Sequence, residues 1–192
     1  MSPRTSTQNK EIRESSKQQI TEAAFRLFAK EGFTKTSISA IAKEAKISKG
    51  LIYHYFKSKE EILETIFFQL LETSDQIFAS VKDLAPIKKM ETILDSIFNF
   101  IEQHPDLMRL IISLTLQPHA IKSIKPLIEE TSTRQVAIFT EILNELGHHN
   151  ADYEGYYLGS KLDGITMGYI TLGKDYPLEH MKQKLYEEYV HT

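Results

Sequence analysis

The sequence predicts an all-α protein in which a small N-terminal module of short helices is joined by one long helix to a C-terminal helical bundle. Three observations predict it. Apolar residues recur at three- and four-residue spacing along nearly the whole chain. No β-branched run alternates with polar residues between hairpin turns, so no strand signal survives. Helix-start and helix-stop residues (Ser, Pro, Gly) punctuate the apolar pattern at helix-length intervals. With 192 residues the chain is long enough for two domains, and the helix starts place them at 1–57 and 58–192.

The elements follow in order. The stretch MSPRTSTQNKEIRESSK is polar and lacks the apolar run of a signal peptide; it reads as a short disordered arm. Ile12, Ile20, Ala23, Ala24, Leu27 and Phe28 share one helical face that ends at Gly32. Two short helices follow, over 37–44 with Thr36 or Ser37 as N-cap, and over 48–55 with Ser48 as N-cap. Ser58 and Glu61 form a capping box at the start of a helix to about residue 82, with Ile62, Leu63, Ile66, Phe67, Leu70, Leu71, Ile77, Phe78 and Val81 on its stripe. Pro86 starts a helix carrying Met90, Ile93, Leu94, Ile97, Phe98 and Ile101, which ends before Pro105. The segment 107–116 is apolar enough to be mostly buried. A helix to Leu146 stops at Gly147, another runs over 153–172, and Pro177 opens a last one.

The residues between 36 and 59 carry the chemistry. Two short helices separated by only Ala45, Lys46 and Ile47 must cross sharply, which is the geometry of a helix-turn-helix, whose second helix enters the major groove of DNA. Ile38, Ile41, Ala42, Ala45, Ile47, Ile52 and Phe56 are spaced as its small core, leaving Ser48, Lys49, Gly50, Leu51, Tyr53, His54 and Tyr55 turned outward. Ser48 and the free N–H groups of a helix start suit a phosphate. Gly50 lets a backbone approach, Lys49 can donate to guanine, and Leu51 can pack on a thymine methyl. Tyr53 and Tyr55 hydroxyls and the Lys59 cation suit phosphates. Charge agrees: residues 1–60 hold 12 Lys+Arg against 6 Asp+Glu, a balance of +6, while residues 61–192 hold 11 against 20, a balance of -9. A basic front on an acidic body points the front at a polyanion.

The stretch TKTSISAIAKEAKISKGLIYHYFKSKEEIL, preceded by ITEAAFRLFAKEGF, resembles the DNA-binding signature of the TetR family of bacterial transcriptional regulators over roughly residues 16–63. That resemblance implies an all-helical homodimer whose C-terminal domain holds a small-molecule pocket. It also places Thr36, Ser37, Ser48, Lys49, Gly50, Tyr53, His54 and Lys59 at or beside positions that commonly meet DNA. The implied function is a repressor released from an inverted-repeat operator, in double-stranded DNA, by an unknown small-molecule inducer. The chain departs from the family where a turn glycine is usual and Lys46 stands instead, so a slightly altered turn is expected. A helical small-molecule carrier or nucleoid-associated protein that keeps the motif as scaffold is the alternative.

Elsewhere the residues say less. Glycines at 155, 159, 164, 168 and 173 each cost a helix about 1 kcal/mol relative to Ala, so close helix–helix approach is expected there. With the family resemblance this predicts a homodimer through the helices 124–146 and 153–172. For a ligand pocket the candidates are Phe67, Phe98, Met108, Leu114, Phe139 and Met167, with Leu110 beside them and Arg109 or Asp163 as polar anchors. His148 and His149 with Asp152 read as an interhelical turn, not a metal site, and His104 and His119 as capping or solvated groups. No nucleophile elbow, phosphate loop, zinc-protease or dinucleotide motif occurs, so no enzyme and no cofactor are expected. The chain has no Cys and no apolar run of about 18 residues, which fits a cytoplasmic protein.

Overall fold

The computed structural model describes residues 6–115, 117 and 122–191. The expectations for Leu116, His119 and the first five residues lie outside these. The described residues form nine α-helices and no strand: α1 (Ser6–Glu31), α2 (Ile38–Glu44), α3 (Lys49–Tyr55), α4 (Lys59–Val81), α5 (Pro86–Gln103), α6 (Pro105–Thr115), α7 (Lys125–Glu145), α8 (Ala151–Leu172) and α9 (Leu178–Tyr189). The N-terminal arm is a correction, because α1 is already helical from Ser6. Ile12 is 43% exposed, so the buried face of α1 begins only at Ile20.

The chain divides into two compact units, residues 1–69 with 113–124, and residues 70–112 with 125–192. In the first unit Ile20, Ala23, Ala24 and Phe28 of α1 are buried, as are Ile41 and Ala42 of α2, Ile52 of α3, Phe56, and Ile62, Leu63, Ile66 and Phe67 of α4. The spacing of these residues explains why two helices as short as α2 and α3, seven residues each, hold. Neither has enough turns to be stable alone, and each contributes one or two side chains to a shared interior. The sequence-expected core positions Ile38 and Ile47 are only half-buried.

In the second unit a single apolar cluster draws on α5 (Met90, Ile93, Leu94, Phe98, Ile101), α7 (Phe139, Ile142, Leu143), α8 (Leu158, Leu162, Ile165) and α9 (Leu178, Leu185, Tyr189). Polar ties fasten α9. The Tyr189 hydroxyl donates to Glu154 Oε1 at 2.7 Å, and Lys161 Nζ reaches Glu188 Oε1 at 2.5 Å and Tyr189 Oη at 3.1 Å. Lys182 Nζ meets Asp95 Oδ1 at 2.6 Å. Burial alone would raise the Asp95 carboxyl, but the Lys182 hydrogen bond and charge outweigh it and hold the carboxyl below its ordinary range.

The five glycines of the α8 region do different things. A Cβ at Gly155 would lie 2.7 Å from Thr140 Oγ1 and 3.2 Å from the Val136 carbonyl oxygen, so α7 approaches α8 through this position. The Tyr176 ring rests on Gly168, and Gly173 ends the helix at φ +59°. Gly159 and Gly164 face open space. Close approach within the chain therefore accounts for Gly155 and Gly168 alone.

Candidate nucleic-acid interface

The turn between α2 and α3 is closed by three hydrogen bonds. The N–H of Ala45 donates to Ile41 O (2.8 Å), that of Lys46 to Lys43 O (3.1 Å), and that of Ile47 to Ala42 O (3.0 Å). The last two form the six-to-one and five-to-two pair of a Schellman motif, which requires a left-handed residue between them. Lys46 is that residue, at φ 54°. The expectation of an altered turn is thus corrected: the lysine accepts the strained conformation, at about 1–2 kcal/mol, and the turn keeps its form. From α1, Gln19 Nε2 donates to Ala45 O at 2.8 Å, and Arg26 Nε pairs with Glu44 Oε1 at 3.2 Å. The tight crossing is held from behind.

Both short helices are capped as their sequences predict. Ser37, rather than Thr36, is the N-cap of α2, its Oγ accepting from Ala40 N–H at 3.1 Å. Ser48 Oγ accepts from Leu51 N–H at 3.1 Å. At α4, Ser58 Oγ accepts from Glu61 N–H at 3.3 Å, and the Glu61 carboxylate accepts from Lys57 N–H at 2.6 Å, one residue earlier than in the standard box.

Around α3 the side chains separate cleanly. Ile52 and Phe56 are buried, while Ser48, Lys49, Gly50, Tyr53 and His54 are exposed, and Leu51 and Tyr55 half-buried. Tyr53 is 51% exposed, and Lys49 Nζ sits 5.8 Å from its ring centroid. The His54 and Tyr55 rings meet edge to face at 4.9 Å. A Cβ at Gly50 would find only Ser48 Oγ, at 3.9 Å, so the space above that backbone is free. A cation, two hydroxyl-bearing groups, an imidazole and an open stretch of backbone thus share one side of a seven-residue helix. That side can donate to phosphates and to base edges.

Two sequence-expected contact residues are placed differently. Thr36 is buried, and its hydroxyl donates to Gly32 O at 2.9 Å. Lys59 turns inward: its Nζ donates to the carbonyls of Phe33 (2.9 Å), Thr34 (3.2 Å) and Thr36 (3.1 Å), and lies 4.5 Å from the Phe33 ring centroid. The reason is electrostatic. The carbonyls after α1 are a concentration of acceptors that an ammonium satisfies better than water does.

The sequence-expected pocket residues are divided between the two units. Phe67 and Leu114 are buried in the first unit; Phe98 and Phe139 belong to the core cluster of the second. Met108 is half-buried. Arg109 is exposed and paired with Asp106 at 2.5 Å. Met167 is 46% exposed. Asp163 reaches solvent, yet desolvation by neighbouring protein pushes its carboxyl above the ordinary range. Sequence reasoning missed Arg134, whose Nη1 meets Asp75 Oδ1 at 2.6 Å while its Nε is buried with no acceptor in reach. Its place in a helix of mixed polar residues gave no signal. No group of three or more His, Asp or Glu among the described residues could hold a metal. No helix among them is long and apolar enough to cross a membrane.

Comparison with known proteins fits this geometry. Residues 20–66 match the family described as bacterial regulatory proteins, tetR family. The HTH-type transcriptional regulator HbdR of Aromatoleum sp. (strain CIB) is 44% identical over 63 residues, 33% of this chain and 28% of that protein. The chain spans about half the length, or less, of the curated relatives it matches. A TetR transcription regulator from Haloarcula marismortui ATCC 43049 superposes with a TM-score of 0.80 at 18% identity, over 93% of this chain and 98% of that one. FadR from Bacillus subtilis, solved with stearoyl-CoA, superposes with a TM-score of 0.74 at 20% identity, over 90% and 97%. The match over 20–66 falls on the buried face of α1, the Schellman turn and the capped α3, and it is this segment that is similar to the tetR family of bacterial regulatory proteins.

Proposed function

We propose that the protein is a sequence-specific DNA-binding transcription regulator, acting as a repressor that a small molecule releases from an inverted-repeat operator. One observation carries the reading: Ser48, Lys49, Gly50, Tyr53 and His54 stand exposed on one side of a helix whose other side, Ile52 and Phe56, is buried. A carrier of small molecules has no use for that division. Residues 1–57 would read DNA and residues 58–192 would sense ligand and dimerise.

The dimer would form through α7 and α8. The side of α8 away from the core exposes Tyr153 (80%), Tyr156 (64%) and Met167 (46%), with Gly159 and Gly164 open beside them. Large apolar side chains around small ones suit close helix approach by a second copy. Two-fold symmetry then asks for half-sites about one helical turn apart.

The ligand would bind the second unit. The FadR structure holds stearoyl-CoA, and Arg134, with a buried donor to spare, is the polar group that we assign to an anionic moiety. Helix α4 contributes residues to both units and so would pass the change. Each tenfold loss of operator affinity needs about 1.4 kcal/mol of difference in ligand binding between the two forms.

The test is selection of binding sites from random DNA by the purified protein at near-physiological salt, followed by sequencing. One enriched palindrome is the expected result. Enrichment of no sequence, with protein shown to be free of bound small molecules, would refute the reading.

A further inference from the structure

Lysine 59 occupies a position that local rules disfavour. It is the first residue of α4, where the helix dipole repels a cation, and it follows Lys57 by only two residues. Something else must hold it. Its ammonium has three N–H donors, and three carbonyl oxygens take them: Phe33 at 2.9 Å, Thr34 at 3.2 Å and Thr36 at 3.1 Å. The Phe33 ring below it, 4.5 Å from Nζ, is buried and stands edge-on to Phe28 of α1 at 5.0 Å. No donor is left for a phosphate.

The three carbonyls belong to the connection between α1 and α2, where Phe33 and Thr36 are buried. Gly32 ends α1 at φ +86°, Thr36 closes back on Gly32 O, and Thr34 Oγ1 donates to Gln117 Oε1 at 3.2 Å. This connection sets where α2 begins, and α2 with its Schellman turn sets where α3 points. The first turn of α4 is thereby fastened to the segment that aims the exposed face of α3.

We propose that Lys59 is a positioning residue of the DNA-reading unit, a latch between the first turn of α4 and the α1–α2 connection, and not a phosphate contact. It acts on operator affinity through the placement of α2 and α3. The inference rests on the DNA-binding reading above, and it deepens that reading by assigning how α4 is joined to the reading head.

The two roles predict different behaviour in the full-length protein. A phosphate ligand, when removed, weakens operator and non-specific DNA alike and lowers the salt slope by about 0.9. A latch, when removed, lowers the ratio of operator to non-specific affinity and leaves the slope unchanged. Lys59→Met, Lys59→Arg and Lys49→Gln are compared on the selected operator and on scrambled DNA, across a salt series, with folded fraction checked by circular dichroism. The latch predicts about a tenfold or greater loss of operator affinity for Lys59→Met. It predicts a loss for Lys59→Arg as well, since a planar guanidinium cannot give three carbonyls one nitrogen. Amide hydrogen exchange over residues 33–38 should rise in both, without DNA present, and stay unchanged in Lys49→Gln. A merely stabilising lysine would not move the specificity ratio of the folded fraction. Wild-type affinity in Lys59→Arg, together with a reduced salt slope in Lys59→Met, would overturn the latch and leave the regulator reading intact. Absence of any specific binding by the wild-type protein would overturn both.

Discussion

Adding one methyl group at Gly155 should destabilise the protein, whereas adding the same group four residues later, at Gly159, should stabilise it. Both glycines lie inside α8, so Gly→Ala gains about 1 kcal/mol of helix propensity at either site. At Gly159 nothing of the same chain lies within 4 Å of the new Cβ, and for the monomer the gain stands. At Gly155 the Cβ would meet Thr140 Oγ1 at 2.7 Å, Val136 O at 3.2 Å and Thr140 N at 3.3 Å. Two of those three atoms are backbone of α7 and cannot turn aside, so the α7–α8 spacing must open. Overpacking of this kind costs typically 1–3 kcal/mol. The net expectation is a loss of up to about 2 kcal/mol for Gly155→Ala against a gain of about 1 kcal/mol for Gly159→Ala. With an m-value of about 2 kcal/mol/M in urea, the two midpoints should differ by roughly 0.5–1.5 M. Urea unfolding at matched, low protein concentration reads this directly, and Thr140→Ala in the Gly155→Ala background should return part of the loss through a coupling of about 0.5–3 kcal/mol. Equal midpoints for the two alanine variants would refute the packing argument.

Four further outcomes are expected. Lys49→Ala and Tyr53→Ala should weaken operator binding by about fivefold or more, the equivalent of about 1–3 kcal/mol, with far-ultraviolet dichroism unchanged; wild-type affinity in both would displace α3 as the reading surface. Lys46→Gly should relieve the left-handed strain at φ 54°, less the entropy glycine adds to the unfolded chain, for a net gain of up to about 1 kcal/mol in urea unfolding. Asp95 has a lowered carboxyl pKa, so its contribution is present above the unfolded value near 3.9 and is lost as pH falls through the folded value; Asp95→Asn should flatten that acid limb. Asp163 has the opposite sign: its raised carboxyl pKa makes stability fall as pH rises from the unfolded toward the folded value, and Asp163→Asn should remove that fall and be more stable at neutral pH.

Legibility in the sequence follows range. The helices of 37–44 and 48–55, their serine caps and the three-residue turn were readable because a cap, a turn and an apolar spacing of three or four are set by residues within one or two turns. The burial of Ile52 and Phe56 beside the exposure of Lys49 and Tyr53 was readable for the same reason: period fixes which residues share a side. The helical start of α1 at Ser6 was missed because a polar segment without apolar period gives no signal, although α1 continues it. Lys46 was judged by propensity, and its turn hydrogen bonds overrode that propensity.

Tertiary structure decided the rest. No local pattern tells whether a lysine at the head of a helix faces a phosphate or three carbonyls lying some 25 residues earlier in the chain; for Lys59 the α1–α2 connection settles it. Nor does a run of glycines say which ones meet a neighbour. Gly155 and Gly159 stand about one turn apart on the same helix, and the path of α7 makes one a close approach and leaves the other open. The sequence by itself determined the helices, the capped turn and the face that α3 presents, because those are short-range consequences of side-chain shape and spacing. The inward lysine and the buried donor of Arg134 were decided by packing between segments far apart in the chain, whose partners no local rule can name.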